Sequence, residues 1–145
     1  LSCFEQACAE LKALQIPFIV HTILGLPGET NIQLLQTMDY LNRIQPLGIK
    51  LQLLHVLKDT DLADDYLAGK FEALTFDAYI DLVISCLAHL SPDIVIHRVT
   101  GDGPKNLLIA PTWSMDKRSV LNELHHRMKK QGIRQGDLFP KDNYS

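Results

Sequence analysis

The chain has 145 residues, 46% of them hydrophobic and 21% charged, with a formal net charge of −3 at pH 7. This composition predicts one soluble globular domain that buries roughly 70% of its unfolded surface, and it excludes a disordered tail. No apolar run approaches the ~20 residues of a transmembrane helix and no signal-peptide pattern is visible, so we expect a cytoplasmic protein with no membrane partner. The acidic balance argues against a surface built mainly for nucleic acid.

The first predicted elements are a helix, a strand and a second helix. Apolar residues recur at helical spacing over residues 3–14. Residues 16–24 form a nearly continuous apolar run, which is typical of a parallel strand covered on both faces. Thr30 and Gln33 have the spacing of a capping box, and the helix that they start ends before Pro46.

Two more strands and two more helices complete the predicted pattern. Residues 49–57 and 93–99 are β-like, and residues 76–90 form a helix between them. A last helix begins after Ser114 and runs to Gly132. The fold class is therefore α/β, with strands and helices alternating along the chain.

Strands that alternate with helices predict right-handed crossovers and a parallel sheet, with ligands bound beyond the carboxyl ends of its strands. That edge would bring together residues 25–29, 57–60 and 100–103. We expect all three strands to be neighbours and the first two to be parallel. Residues 100–111 are the one long irregular stretch, which is either a lid or a surface connection.

The segment "TILGLPGET" joins the first strand to the second helix. Gly25 and Gly28 would let the backbone approach a ligand closely, and the helix N-terminus offers unpaired N–H groups. The Lys-Ser/Thr pair of a P-loop and the G-x-G-x-x-G spacing of a dinucleotide fold are absent, so a P-loop NTPase is excluded. The alternative is a tight turn made by Pro27 and Gly28, with Glu29 at the positive end of the helix.

The segment "HTILGLPGET" resembles the glycine-rich strand-end motif of radical S-adenosylmethionine (radical-SAM) enzymes of the elongator and coproporphyrinogen-oxidase type. Two further segments, "IKLQLLHVLKDTDLADDY" and "VIHRVTGDGPKNLLIAPTWSMDK", are similar to the later parts of the YhcC-type radical-SAM family. The resemblance implies that residues 1–99 form the later βα units of a partial (βα)6 barrel and residues 100–145 a family-specific extension. It implies four residues near the cofactor: Gly25, Leu26, Gly28 and Glu29.

The cofactors implied by the resemblance are S-adenosylmethionine and a [4Fe–4S] cluster, which generate a 5′-deoxyadenosyl radical that acts on an unknown substrate. Such enzymes hold the cluster by a Cys-x-x-x-Cys-x-x-Cys loop, whereas Cys3 and Cys8 are separated by four residues on a predicted helix. The resemblance thus implies a C-terminal half without cluster ligands or a metal site, inactive without the N-terminal half of the same protein. A sheet cut from a barrel also predicts self-association.

Four polar residues are candidates for a substrate pocket: His55, His97, Arg98 and Asp102. His55 ends a strand but shares a face with three aliphatic residues, so a core histidine is the alternative. Alternation places His97 and Arg98 on opposite faces, so at most one of them points into a barrel. Arg98 is the better partner for an anionic group, with an ion pair to Asp102 as the alternative.

Three functions of different classes remain open. The first is a radical-SAM enzyme half, the second a tRNA-modifying relative, and the third a non-catalytic α/β module that binds a nucleotide or a partner. RNA is a partner that the basic run "HHRMKK" could contact, although basic residues in a last turn also complement the helix dipole. Lys58, Asp59 and Thr60 are predicted to form a solvated turn, and Trp113 to pack against the last helix.

Overall fold

The structure, a computed structural model, describes residues 1–101 and 103–140. The helices and strands are α1 (Ser2–Ala13), β1 (Ile19–Leu24), α2 (Asn31–Ile44), β2 (Gly48–Leu53), β3 (Val56–Leu57), α3 (Asp61–Leu67), α4 (Phe76–His89), β4 (Val95–Arg98), β5 (Leu108–Ala110) and α5 (Lys117–Gln131), with a 3-10 helix over Thr112–Met115. The α/β alternation predicted from the sequence is confirmed. Within these residues, the helices are too short or too polar to cross a membrane.

Three strands form one parallel sheet in the order β1-β2-β4. β1 and β2 are paired over their whole length, from Ile19 beside Gly48 to Leu24 beside Leu53. Because the strands are parallel, their carboxyl ends point toward one edge of the sheet, where ligands of such sheets bind. β1 and β4 are the outer strands of this sheet, so self-association through an edge stays a prediction.

One face of the sheet forms the hydrophobic core. Ile49, Leu51 and Leu53 alternate along β2 and are all buried, in one cluster with the apolar faces of α2 and α4. Removing apolar surface from water contributes roughly 25 cal/mol per Å², so burial of this face stabilises the fold. Val120 and Leu124 of α5 belong to the same cluster. The predicted domain boundary at residue 99 therefore crosses a shared core, and it stays a prediction.

The opposite face of the sheet is open in the part of the chain that the structure describes. On this side Ile19, Ile23 and Val95 are 37%, 44% and 50% exposed, and His21 and His97 are exposed as well. Parallel sheets in proteins are usually covered on both faces. The open face is therefore the unusual side of this sheet.

The strand predicted over residues 49–57 is interrupted, which corrects the sequence interpretation. β2 ends at Leu53, and the amide of Leu54 then donates to the carbonyl of Leu24 at 2.9 Å. The chain turns out of the sheet at this point, and β3 forms a separate antiparallel pair with β5. The alternation of β2 therefore does not continue to His55.

Two elements were missed in the sequence. Residues 100–111 were expected to be irregular, yet they end in β5. α3 begins after the predicted turn, where the Thr60 hydroxyl accepts a hydrogen bond from the Ala63 amide at 3.2 Å. A second small core of Val56, Ala63 and Ala110 packs the two-stranded sheet against α3.

Candidate functional site

The first site feature is the turn between β1 and α2, residues 25–29. Gly25 and Gly28 have φ angles of +87° and +77°, in the left-handed region that side chains disfavour. The amide of Glu29 donates to the carbonyl of Leu26 at 3.0 Å and closes the turn. Both glycines therefore meet a conformational requirement of the backbone.

The surroundings of the two glycines differ. A Cβ atom on Gly25 would lie 2.7 Å from Cδ1 of Leu74, whereas a Cβ atom on Gly28 would meet no atom of the described residues within 4 Å. Gly28 faces a cleft that the turn forms with Leu34 of α2 and with Phe71 and Leu74 of the segment before α4. A ligand can therefore approach the backbone at Gly28, while the space beside Gly25 is occupied.

The start of α2 already satisfies two of its own backbone donors. The Thr30 hydroxyl accepts from the Gln33 amide at 3.3 Å, and the Gln33 side chain accepts from the Thr30 amide at 2.9 Å, which confirms the predicted capping box. Beside this cap, Leu26 is 43% exposed and Glu29 is half-buried. Burial raises the pKa of Glu29. The turn therefore suits an uncharged group better than a phosphate.

The glycine turn is linked to residues 110–113, the "APTW" segment. Nε1 of Trp113 donates to the carbonyl of Leu74 at 3.0 Å, and the Leu74 side chain covers Gly25. The indole packs against the rings of Phe76 and Tyr79 of α4, with ring centroids 5.5 Å apart in both pairs. Trp113 thus packs against α4 and against the core cluster to which Val120 and Leu124 of the last helix belong, and it fixes the segment that lies over the glycine turn.

His55 lies at the carboxyl end of β2 against the loop that follows β4. A Cβ atom on Gly101 or Gly103 would come within 3.0 Å of the imidazole. Nε2 of His55 is buried and has no hydrogen-bond partner in the part of the chain that the structure describes. Burial lowers the pKa of His55, and the positive charge of Lys117 lowers it further. Asp102, the other predicted pocket residue of this loop, lies outside the described residues.

His97 and Arg98 lie within the sheet and not at its carboxyl edge. His97 is exposed, and a Cβ atom on Gly48 would come within 3.0 Å of its imidazole. The β2–β4 register shifts between Ile49 and Lys50, so that Lys50 lies beside Arg98. Exposure nevertheless alternates along β4, with His97 exposed and Arg98 half-buried, so their predicted placement on opposite faces stays a prediction. Arg98 is half-buried, and both His97 and Arg98 line a cleft between β4 and α5.

The structure therefore separates the predicted residues into two groups. The glycine turn and His55 follow directly paired strand ends, because Leu24 lies beside Leu53. His97 and Arg98 lie at the level of the first half of β2. Sequence reasoning did not single out His21 and Lys50, which are direct neighbours across β1 and β2. The signal that could have found Lys50 is its alternation with buried aliphatic residues.

The cysteines do not form a cluster site. Cys3 is exposed, Cys8 and Cys86 are buried, and all three are free. Burial raises the pKa of the Cys86 thiol to about 12, which disfavours the thiolate that binds iron. Residues 1–101 and 103–140 contain no group of three or more His, Cys, Asp or Glu side chains that could hold a metal ion. A [4Fe–4S] cluster therefore does not fit the cysteines of this chain.

The basic run at the end of α5 is partly neutralised. Arg127 forms ion pairs with Asp77 and Asp81 of α4 and with Glu123 of its own helix. These carboxylates raise the pKa of Arg127. The arginine therefore joins two helices, and the last turn exposes only the lysines of residues 129–130 as full charges.

Known proteins match this chain along most of its length. Residues 46–130 match the family model described as the Radical_SAM C-terminal domain. The chain is 36% identical over 138 residues to YtqA of Bacillus subtilis, which covers 95% of this chain and 43% of that protein. It is 25% identical over 132 residues to YhcC of Escherichia coli K12, which covers 91% of this chain and 43% of that protein. The chain thus spans about two-fifths of the length of these relatives.

A solved structure shares the fold. The chain superposes with a TM-score of 0.76 on Elp3 of Methanocaldococcus infernus, which was solved with an N-terminal deletion. The match covers 91% of this chain and 31% of that chain at 17% sequence identity. At this identity the likeness concerns the arrangement of strands and helices.

Proposed function

Because this chain belongs to the family of radical-SAM C-terminal domains, we propose that it forms part of the wall around S-adenosylmethionine and a substrate in a radical enzyme. The predicted resemblance to YhcC-type proteins is confirmed by the match to YhcC. The observation that carries the proposal is the open space beside Gly28, at the carboxyl edge of a parallel sheet. Ligands of such sheets bind at this edge.

The residues of the glycine turn fit an adenosyl group. Its adenine ring is flat and uncharged, and its ribose carries hydroxyl groups. The group therefore needs an apolar surface and hydrogen-bonding groups but no cation. Leu26 supplies exposed apolar surface, Gly28 exposes the backbone, and Glu29 supplies a half-buried carboxyl. The role we propose for these residues is to bind and orient the adenosyl group.

The open face of the sheet would form the substrate wall. In a barrel the helices lie outside and the opposite face of each strand lies inside. The helices α2 and α4 share a core with one face of this sheet, so the open face with His21, Lys50 and His97 would be the inner one. His55 would close the carboxyl end of this wall, because it packs against Gly101 and Gly103. Arg98 would lie at the edge of this wall, because it pairs with Lys50 and also lines the cleft between β4 and α5.

The cluster ligands would come from another part of the complete protein. The relatives are more than twice as long as this chain, which leaves room for a cluster-binding segment in them. When bound, the cluster and S-adenosylmethionine supply the one-electron chemistry that removes a hydrogen atom from a substrate. Free thiols at Cys3, Cys8 and Cys86 suit a reducing compartment, and we propose the cytoplasm.

Binding of S-adenosylmethionine to the complete protein tests the proposed cofactor site. Gly28→Val would fill the cleft, so we expect at least a tenfold loss of affinity in the folded protein. Gly132→Val is the matched control, because Gly132 also has a positive φ of +68° and, in the part of the chain that the structure describes, no atom within 4 Å of a Cβ position. Equal affinities of the two variants would contradict the proposal.

Anaerobic reconstitution of the complete protein with iron and sulfide tests the chemistry. We expect S-adenosylmethionine to be converted to 5′-deoxyadenosine. Absence of this product from a protein with a full cluster would leave the non-catalytic module as the better interpretation. Product formation that depends on added tRNA would favour the tRNA-modifying alternative, for which RNA is the partner.

A further inference from the structure

The three strands of the parallel sheet differ from the rest of the chain in their ionisable side chains. The chain has 17 aspartates and glutamates, 14 lysines and arginines and 6 histidines, yet β1, β2 and β4 contain no aspartate or glutamate. The same strands contain His21, Lys50, His97 and Arg98. A sheet in an acidic protein thus carries only basic ionisable side chains.

The strand register brings these side chains together. His21 of β1 lies beside Lys50 of β2, and Lys50 lies beside Arg98 of β4. Neighbouring strands are about 4.8 Å apart, so this row spans roughly 10 Å. His97 lies against Gly48, one alternation step before Lys50, because only a residue without a Cβ leaves room for the imidazole there.

Nothing described on this face neutralises Lys50. Lys50 alternates with the buried Ile49 and Leu51, which places it on the open side of β2. Among residues 1–101 and 103–140, it makes no ion pair and no side-chain hydrogen bond. A half-buried ammonium beside other basic groups gains most from an anionic ligand.

We propose that His21, Lys50 and His97 bind a phosphate group of the substrate on the open face of the sheet. This inference rests on the proposed function only in taking that face as the substrate wall. The three side chains are separate single donors from three strands, which match the several oxygens of a tetrahedral phosphate. A planar carboxylate is matched best by donors that lie in one plane, as in a single guanidinium fork, whereas these three donors come from three different strands.

The test is the affinity of the complete protein for inorganic phosphate, measured by ³¹P NMR at constant ionic strength. Lys50→Met is expected to weaken phosphate binding about tenfold or more, which is the usual effect of losing a hydrogen bond to a charged group. Lys130→Met is the matched control, because it removes the same charge from the exposed end of α5. His97→Gln is expected to weaken binding less than Lys50→Met, because the amide keeps a donor.

Equal phosphate affinities of Lys50→Met and Lys130→Met would overturn the proposal. Displacement of bound phosphate by an equal concentration of acetate would also overturn the proposal, because the site would then prefer a carboxylate to a phosphate. Displacement of phosphate by S-adenosylmethionine would assign the row to the cofactor instead. Phosphate binding needs no cluster. A wild-type protein that forms 5′-deoxyadenosine but does not bind phosphate would defeat this inference alone. A wild-type protein that binds phosphate through Lys50 but forms no 5′-deoxyadenosine would defeat the proposed function alone.

Discussion

Two strands of the sheet are followed by glycine-containing segments, and the glycines serve different purposes. After β1, Gly28 has a positive φ, and the space where a side chain would lie is open. After β4, Gly101 and Gly103 lie against the imidazole of His55, which occupies that space. A missing side chain therefore indicates a ligand only where the space is empty. By this criterion the segment after β1 is the better candidate for a ligand site.

The largest loss of stability is expected from a side chain added at Gly101, because the imidazole of His55 already occupies the space beside it. The valine side chain of Gly101→Val would overlap with the imidazole of His55. We therefore expect a loss of about 3 kcal/mol in the free energy of unfolding. Urea denaturation monitored by circular dichroism measures this loss. His55→Ala in the same chain should recover at least about 1 kcal/mol, because the valine would then occupy the vacated volume. Strictly additive losses would show that His55 and Gly101 do not compete for space.

A smaller effect is expected at the open glycine. The added methyl group of Gly28→Ala meets no described atom within 4 Å, so its cost should be only the conformational strain of about 1–2 kcal/mol. Gly28→Asn should cost less than Gly28→Ala, because asparagine tolerates the left-handed region better. The same urea experiment compares the two variants. A loss as large as that of Gly101→Val would mean that the cleft beside Gly28 is filled.

The alternation of helices and strands could be predicted because its signals are local. The capping box of Thr30 and Gln33 lies within four residues, and the structure has both of its hydrogen bonds. Buried residues repeat along α4 at helical spacing in the sequence itself. Such patterns need no knowledge of distant contacts. The order of the main elements and the parallel sheet followed from them.

The elements that were missed depend on partners far away in the chain. β5 has three residues, and it is a strand only because Leu108 and Ala110 pair with Leu57 and Val56. The position of His55 follows from the loop that contains Gly101. No local pattern contains this information, because the pairing register arises from packing of the whole sheet. The two groups of site residues could therefore be recognised only in three dimensions.

The smallest expected effect on stability comes from the protonation of His55. It tests the packing of the loop that contains Gly101 and Gly103, in contrast to the open glycine turn of residues 25–29. The folded state lowers the pKa of His55 below the ordinary value of about 6.5, first through burial and second through Lys117. The unfolded chain therefore binds the proton more readily, so the stability contributed by neutral His55 is complete above pH ~6.5 and is lost as the pH falls through the folded-state pKa. His55→Gln cannot titrate, so the difference in unfolding free energy between wild type and this variant should change over that pH range. Parallel stability profiles of the two proteins would contradict the burial of His55.

Lys117→Met should narrow the pH range over which His55 changes the stability only slightly. The larger cause of the lowered pKa, burial of His55 beneath Gly101 and Gly103, remains in this variant.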